Sequence, residues 1–145
     1  MNINLTVRPP TADDKNFIFS SWLKSYRHSA FAKPQCNAVY YDNYKLIIER
    51  LLKKSYILVA CSVEDPSQIY GYVVFEKHEA APLCMHYVYT KHLFRKFGVA
   101  KRLISHINPT DKPLIYSHLT DIIQRICKNK SALYVPYFEI YNPRE

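Results

Sequence analysis

The spacing of the apolar residues changes once along this chain, and that change constrains the fold more than any other feature. Between residues 12 and 53, apolar side chains recur every three or four positions, as Trp22 and Tyr26 do, which is the spacing of a helix face. Three short runs rich in branched and aromatic residues follow, at Tyr56–Val63, Ile69–Glu76 and Leu83–Thr90. Because only short turns separate these runs, they predict neighbouring antiparallel strands.

Helices and further strands surround this block. Before it, a strand at Leu5–Arg8 precedes a helix that Thr11 caps, and a second helix covers Val39–Lys53. After it come a helix, a strand, a helix and a strand, at Gly98–Ile107, Leu114–His118, Thr120–Asn129 and Leu133–Ile140. The order β-α-α-β-β-β-α-β-α-β predicts an α/β fold with helices on both faces of a mixed, mostly antiparallel sheet. Residues 1–145 are expected to form a single domain, since a chain of 145 residues leaves little room for a second.

The charge balance narrows the class of partner without choosing one. The chain has 20 Lys or Arg against 12 Asp or Glu, which gives a formal charge of +8. Such a surface attracts anions, among them a phosphorylated cofactor, nucleic acid, an acidic protein or anionic lipid. A solvated basic surface that aids solubility explains the same charge equally well.

Several classes of protein are disfavoured. The start of the chain lacks a basic segment followed by an apolar stretch, and the longest apolar run, at residues 56–61, is too short to span a bilayer. We therefore expect a cytoplasmic protein without a membrane partner. The four cysteines are widely spaced and the six histidines lack ligand spacing, so we expect reduced thiols and no metal site. Nothing in these patterns indicates the oligomeric state.

The most specific pattern is a strand, a basic turn and a helix that opens at a glycine. Only two glycines occur, Gly71 and Gly98, so each is expected where the backbone requires it. A helix N-terminus has unpaired N–H groups and the positive end of the helix dipole, which together bind phosphate. Gly98 would allow close approach, while Arg95 and Lys96 add positive charge.

Arg95, Gly98 and Ala100 are spaced as in the signature of the N-acetyltransferase (GNAT) superfamily: Arg or Gln, two residues, Gly, one residue, then Gly or Ala. The turn also follows the fourth strand and opens the third helix, which is the order of elements in that family. The chain thus resembles a GNAT protein, and the resemblance implies that acetyl-CoA is the cofactor. It implies that the pyrophosphate is bound by the backbone of Arg95, Lys96, Phe97, Gly98, Val99 and Ala100. It further implies that the pantetheine arm pairs with Val88, Tyr89 and Thr90, where the fourth and fifth strands splay apart.

The residue that would remove the proton from the acceptor amine departs from the family pattern. Many members carry a Glu on the fourth strand, but that position falls near Cys84 here, and no carboxylate occurs from Leu83 to Thr90. His86 lies two residues further on the same strand face and has a suitable intrinsic basicity, so it is the first candidate. Glu79, in the preceding turn, is an alternative that would act through water.

The acid that would protonate the leaving thiolate is also displaced. Family members often use a Tyr on the helix after the fifth strand, and the helix predicted here contains none. Tyr116 is the first candidate, while Tyr137 and His118 are alternatives.

These patterns predict an N-acetyltransferase that moves an acetyl group from acetyl-CoA to the amine of an unidentified small molecule or protein. The alternative is a catalytically weak or inactive protein of the same fold that binds a protein or nucleic-acid partner. The basic loop at residues 27–37 favours an acidic acceptor or nucleic acid over a polyamine.

Overall fold

The computed structural model describes residues 3–79 and 81–136, and these form a single sheet with helices against it. The strands are β1 (Leu5–Arg8), β2 (Tyr56–Ser62), β3 (Ile69–Glu76), β4 (Leu83–Thr90), β5 (Leu114–Tyr116) and β6 (Ala132–Tyr134). The helices are α1 (Ala12–Tyr26), α2 (Asn37–Lys54), α3 (Val99–Ile107) and α4 (Asp121–Cys127), with a single 3₁₀ turn at His92–Phe94. Strands β1 to β4 pair antiparallel in chain order, and β5 and β6 are added in parallel. The predicted mixed, mostly antiparallel α/β sheet is confirmed.

Alternate residues of the central strands pack against different helices, so both faces of the sheet are covered. Tyr72 and Tyr87 belong to the core cluster under α1 and α2, where the Trp22 ring stacks on Tyr87 with centroids 5.0 Å apart. Val73 and Val88, the next residues along each strand, belong to the cluster under α3 and α4. Since successive side chains of a strand point to opposite faces, the two clusters lie on opposite sides of the sheet.

The helices begin in two different ways. Thr11 caps α1: its hydroxyl accepts a hydrogen bond from the Asp14 N–H, and its own N–H donates to the Asp14 carboxylate. Thr120 caps α4 in the same manner through the N–H of Ile123. Helix α3 begins at Gly98, which has no side chain to cap it.

The predicted fifth strand, Leu114–His118, is longer than the observed one. β5 ends at Tyr116 rather than His118, because the last bond to β4 is donated by the Ser117 N–H to the Met85 carbonyl and the chain then turns into α4. The final strand was expected at Leu133–Ile140, whereas pairing covers Ala132–Tyr134. Val135 and Pro136 lie beyond the observed strand, while residues 137–140 of the predicted strand, Tyr137 among them, lie outside the described residues.

Gly71 allows β3 and β4 to approach closely. A Cβ atom at this position would collide with the carbonyl oxygen of Tyr89 and would lie 3.1 Å from the Val99 side chain.

Among the described helices, none combines the length and apolarity needed to cross a membrane. No cluster of three or more potential metal ligands occurs within residues 3–79 and 81–136.

Candidate active site

The sheet opens at a bulge in β4. Phe75 of β3 pairs with Met85 and Val74 pairs with Tyr87, so His86 is an extra residue in β4. Pairing between β4 and β5 ends at Met85 and Tyr116. A bulge bends its strand and increases the local twist, which separates β4 from β5 beyond this point. Residues 86–90 therefore have no neighbouring strand on the β5 side within the described part of the chain.

A basic cleft of about 870 Å³ lies at the end of this open edge. Its walls are Thr90, the turn that follows, the first residues of α3 and one side of α4. Its cationic lining residues are Arg95, Lys96, Lys101 and Arg125. The volume is within the roughly 300–1,000 Å³ typical of small-molecule sites.

The turn that forms the floor of the cleft leaves backbone groups available to a ligand. Lys96 and Gly98 have φ of 77° and 76°, which bends the chain tightly before α3. The first N–H groups of a helix have no intrahelical acceptor, and at α3 no side chain caps them. A Cβ atom on Gly98 would meet no other atom within 4 Å, so a side chain here would fill the concave floor of the turn.

Thr90 adds a second polar group to the cleft. Its hydroxyl oxygen is buried and has no hydrogen-bond partner among the described residues, although Thr90 lines the cleft. Buried hydroxyl groups are normally paired, so this one is free to bond a ligand. The Thr90 hydroxyl, the uncapped helix and the cations fit a phosphorylated ligand such as acetyl-CoA.

The residues predicted to bind the cofactor divide into two groups. The cleft is lined by Thr90, Arg95, Lys96, Gly98, Val99 and Ala100. The side chains of Val88, Tyr89 and Phe97 lie elsewhere: Val88 and Phe97 pack in the α3–α4 cluster, and Tyr89 stacks on Tyr72 at 5.3 Å. Arg125 was not anticipated, because only the fold brings α4 to the turn.

Next to the bulge, a series of hydrogen-bonded polar side chains, all buried, extends from β3 across β4 to the segment after β5. Glu76 and His86 are each 1% exposed, and a Glu76 Oε2 to His86 Nε2 distance of 2.6 Å joins them. His86 Nδ1 lies 2.6 Å from Ser117 Oγ, which lies 2.8 Å from His118 Nδ1. At the other end, Glu76 Oε1 is 3.0 Å from His78 Nε2. We call Glu76, His86, Ser117 and His118 the polar network.

An ionised Glu76 sets the direction of every hydrogen bond in the polar network. A carboxylate only accepts, so His86 donates from Nε2; in the neutral imidazole, Nδ1 then accepts the Ser117 hydroxyl proton. Ser117 Oγ then accepts from the Nδ1–H of His118, which leaves His118 Nε2 unprotonated. Burial by itself would raise the pKa of Glu76, but the hydrogen bonds from His86 and His78 outweigh it and the pKa is lowered. Burial lowers the pKa of His118 well below its ordinary value, and repulsion from the protonated form of the nearby His86 is a smaller cause in the same direction.

A second cavity, of about 440 Å³, lies on the α1–α2 face of the sheet. The polar network forms one wall of this cavity through His86, Ser117 and His118. The remaining wall is mostly aromatic and aliphatic and consists of Tyr26, Phe31, Tyr44, Leu46, Ile47, Arg50, Leu51, Tyr134 and Pro136. We call this the apolar cavity. His86 lines the apolar cavity and Thr90 lines the basic cleft, so residues 86–90 of β4 extend from one to the other.

Among the residues predicted for catalysis, the structure brings His86 to a cavity. His86 shares the strand face with Cys84, whose Sγ is 4.0 Å from His86 Nδ1 and whose thiol pKa is raised by burial. Tyr116 lines neither the cleft nor the apolar cavity. Its ring stacks on Tyr134 at 5.5 Å, and burial raises its pKa.

The remaining candidates also differ in their surroundings. Glu79 is exposed in the turn before β4 and lines neither cavity. Burial lowers the pKa of His118 and keeps its imidazole neutral, which does not suit the acid considered above. Sequence reasoning missed Glu76, although one local sign existed: it is the single acid at the end of a strand whose residues are all buried.

Known structures share this architecture. A presumed acetyltransferase from Bacillus subtilis, YycN, superposes with a TM-score of 0.66 at 13% identity over 98% of this chain and 93% of its own. A presumed acetyltransferase from Pyrococcus furiosus gives a TM-score of 0.59 at 14% identity over 98% and 94%. A structure from Corynebacterium glutamicum described as histone acetyltransferase HPA2 and related acetyltransferase gives 0.55 at 18% identity over 77% and 74%. No protein-family profile matches this sequence, and no curated protein matches it significantly. The chain has the GNAT fold, as the turn at residues 95–100 predicts.

Proposed function

We propose that this protein is an acetyl-CoA-dependent N-acetyltransferase that acts on the amine of a small-molecule acceptor. The observation that carries the proposal is the opening of the sheet at His86, with a basic cleft at one end and the apolar cavity at the other. An enzyme that joins a phosphorylated donor to an amine needs two such sites that meet at one point.

The residues of the basic cleft suit the phosphate end of the donor. The uncapped N–H groups of α3 and the cations Arg95, Lys101 and Arg125 would hold the pyrophosphate. The backbone of residues 86–90, which lacks a partner strand on the β5 side, would hold the pantetheine arm. When bound, acetyl-CoA supplies an activated acetyl thioester at the open edge of the sheet.

The polar network suits removal of a proton from the acceptor. His118 Nε2 has no partner among the described residues, and its lone pair can take a proton from an amine in the apolar cavity. A shift of each hydrogen along the network passes the charge through Ser117 to His86, where Glu76 stabilises it. His78, partly exposed and bonded to Glu76, lies at the solvent end of this path. The acid for the leaving thiolate stays a prediction, with Tyr116 as its candidate.

Calorimetric titration of the purified protein with acetyl-CoA tests the donor site. S-acetylpantetheine, which has the thioester arm but no pyrophosphate, serves as the matched ligand. We expect acetyl-CoA to bind at least about tenfold more tightly, because phosphate contacts to charged groups each contribute about 1.5–3 kcal/mol. Equal affinity for the two ligands would contradict the assignment of the cleft.

Substitution of the turn gives a second readout. Gly98→Val strains a backbone with positive φ and fills the floor of the cleft, so acetyl-CoA binding should be lost. Asp111→Val is the matched control, because Asp111 has φ of 50° and does not line the cleft. It should lower stability to a similar extent while leaving the affinity for acetyl-CoA unchanged.

Turnover separates the enzyme from a protein of the same fold that only binds. The acetylated amine should be measured by mass spectrometry, since the exposed thiol of Cys36 would react in an assay for released thiol. Tight binding of acetyl-CoA without transfer to any amine would favour the non-catalytic alternative.

A further inference from the structure

Among residues 3–79 and 81–136, no carboxylate that could pair with a cationic acceptor lines the apolar cavity. Its ionisable lining residues are Tyr26, Tyr44, Arg50, His86, His118 and Tyr134. Burial raises the pKa of Tyr26 to about 12 and that of Tyr44 well above its ordinary value, so both hydroxyls stay neutral. Arg50 is the one permanently charged residue among the described residues of the lining, and it is a cation. The described lining therefore supplies no counter-ion for a positive charge on an acceptor.

Aromatic rings supply the attraction that carboxylates would supply elsewhere. The rings of Tyr26 and Tyr44 stack at 5.1 Å, and Phe31 lies 6.1 Å from Tyr26. The His118 ring is 4.9 Å from Tyr26 and 5.7 Å from Tyr44, so the aromatic wall adjoins the proton acceptor. Ring faces attract one ammonium group within about 6 Å of their centroids. A second ammonium group further along the same molecule would be desolvated against aliphatic side chains, which is costly.

The entrance of the cavity is apolar as well. Phe31, Leu46 and Ile47 line it and are 51%, 58% and 41% exposed, which is unusual for large apolar side chains. Arg27, in the basic loop, is not available to the acceptor: it donates to Asn37 and to the carbonyls of Ala32 and Gln35. Because Arg27 bonds to other residues of the basic loop, it stabilises that loop, and the entrance of the cavity presents apolar surface.

We propose that the apolar cavity selects monoamines with a hydrophobic or aromatic body and rejects amines with a second positive charge. This inference rests on the proposed function and names the acceptor class. In the reaction, the amine nitrogen forms a bond to the acetyl carbon of the thioester, and the carbon–sulfur bond breaks. The ammonium form of the acceptor loses two protons from nitrogen. One is released to solvent through His118 and the polar network, and the other balances the thiol of the released CoA.

A matched pair of acceptors tests the selectivity. Hexylamine and 1,6-diaminohexane have the same chain and differ by one ammonium group, and 2-phenylethylamine adds an aromatic body. With acetyl-CoA as donor, kcat/KM should be at least about tenfold higher for each monoamine than for the diamine, since a desolvated charge without a partner is strongly disfavoured. A diamine that reacts as well as hexylamine would overturn the proposal.

A negative charge placed at the entrance should weaken this preference. Leu46→Glu adds a carboxylate to the cavity lining at a position that is 58% exposed, so the fold should tolerate it. We expect it to reduce the ratio of monoamine to diamine kcat/KM several-fold. Val63→Glu is the control, because Val63 is 56% exposed and lies outside the lining. An identical ratio in both variants would contradict the role of the cavity.

Measurement of amine binding without the donor distinguishes failure of the acetyltransferase proposal from failure of the cavity proposal. Titration of 2-phenylethylamine and of 1,6-diaminohexane without acetyl-CoA should show binding of the monoamine alone. If acetyl-CoA fails to bind while this preference persists and Leu46→Glu abolishes it, the acetyltransferase proposal is wrong and the selectivity of the cavity stands. If 2-phenylethylamine does not bind, the cavity proposal is wrong even where acetyl-CoA binds to the cleft.

Discussion

The basic cleft and the polar network are built from different parts of the polypeptide. The cleft uses the backbone of one turn, with positive φ at Lys96 and Gly98, and exposed cations around it. The network uses side chains from β3, β4 and the segment after β5, all within hydrogen-bond distance and nearly all buried. The cleft can therefore bind a ligand partly through backbone groups, which any sequence supplies, while the network depends on the identity of every member.

This difference separates affinity from chemistry. Backbone N–H groups and cations hold phosphate without changing protonation, whereas buried imidazoles linked to a carboxylate can take and pass a proton. Changes in the network should therefore alter the rate of transfer and the response to pH. Changes in the turn should alter donor affinity and local stability. Each of the following substitutions is designed to break that separation.

His86→Gln should have the largest effect. The Gln amide can still donate to Glu76 from the position of Nε2, but it has no basic nitrogen toward Ser117. We expect kcat to fall by about 10²–10⁴-fold, the usual contribution of a proton acceptor, with acetyl-CoA affinity unchanged. His106→Gln, on an exposed position of α3, is the matched control and should retain the parent kcat. Loss of donor affinity in His86→Gln would show that the two sites are not separate.

Stability should depend on pH through His118. The imidazole is enclosed by Tyr26, Tyr44, Tyr87 and Trp22 and faces His86, and its pKa in the folded chain lies well below 6.5. Below pH 6.5 the unfolded chain therefore binds a proton that the folded chain does not. The free energy of unfolding should fall by up to about 1.4 kcal/mol for each pH unit as the pH decreases toward the lowered pKa.

The check for this dependence is urea denaturation between pH 7.5 and 5.5, a range chosen to lie above the titration of Glu76, whose pKa is lowered from 4.5. His118→Asn keeps a donor near the position of Nδ1, so it should preserve the Ser117 bond while removing the slope. If the variant and the parent show the same slope, another group is responsible.

The contrast between the two regions also explains what the sequence could predict. The turn at residues 95–100 is local, so Arg95, Gly98 and Ala100 identify it and the fold without any tertiary contact. Glu76 lies ten residues before His86 and Ser117 lies 31 after it, and only strand pairing with a bulge at His86 brings them together. β4 contains no carboxylate, and the one beside His86 comes from the neighbouring strand β3. Arg125 was missed for the same reason, since it reaches the cleft from α4.

Arg125→Glu should weaken donor binding about tenfold, because reversal of a cation beside phosphate removes roughly one charged hydrogen bond. The effect should diminish with added salt, as expected for an exposed charge. Arg102→Glu provides the comparison: Arg102 is exposed on α3 and does not line the cleft. Titration with acetyl-CoA at two salt concentrations measures both variants. Equal weakening would mean that net charge, and not the position of Arg125, governs donor affinity.

Lys96→Gly should have the smallest effect, and its sign is informative. Lys96 has φ of 77°, a conformation that costs a side-chain-bearing residue roughly 1–2 kcal/mol and costs glycine little. Glycine also gains about 0.5–1 kcal/mol of conformational freedom in the unfolded chain, so the net result is a stabilisation of about 0.5 kcal/mol.

Lys101→Gly removes another cation of the cleft but lies inside α3, where glycine costs about 1 kcal/mol. Since both variants lose the same charge, urea denaturation isolates the backbone contribution as a difference of about 1.5 kcal/mol. Equal destabilisation by the two substitutions would mean that Lys96 is not strained, and the turn would then owe its shape to Gly98 alone.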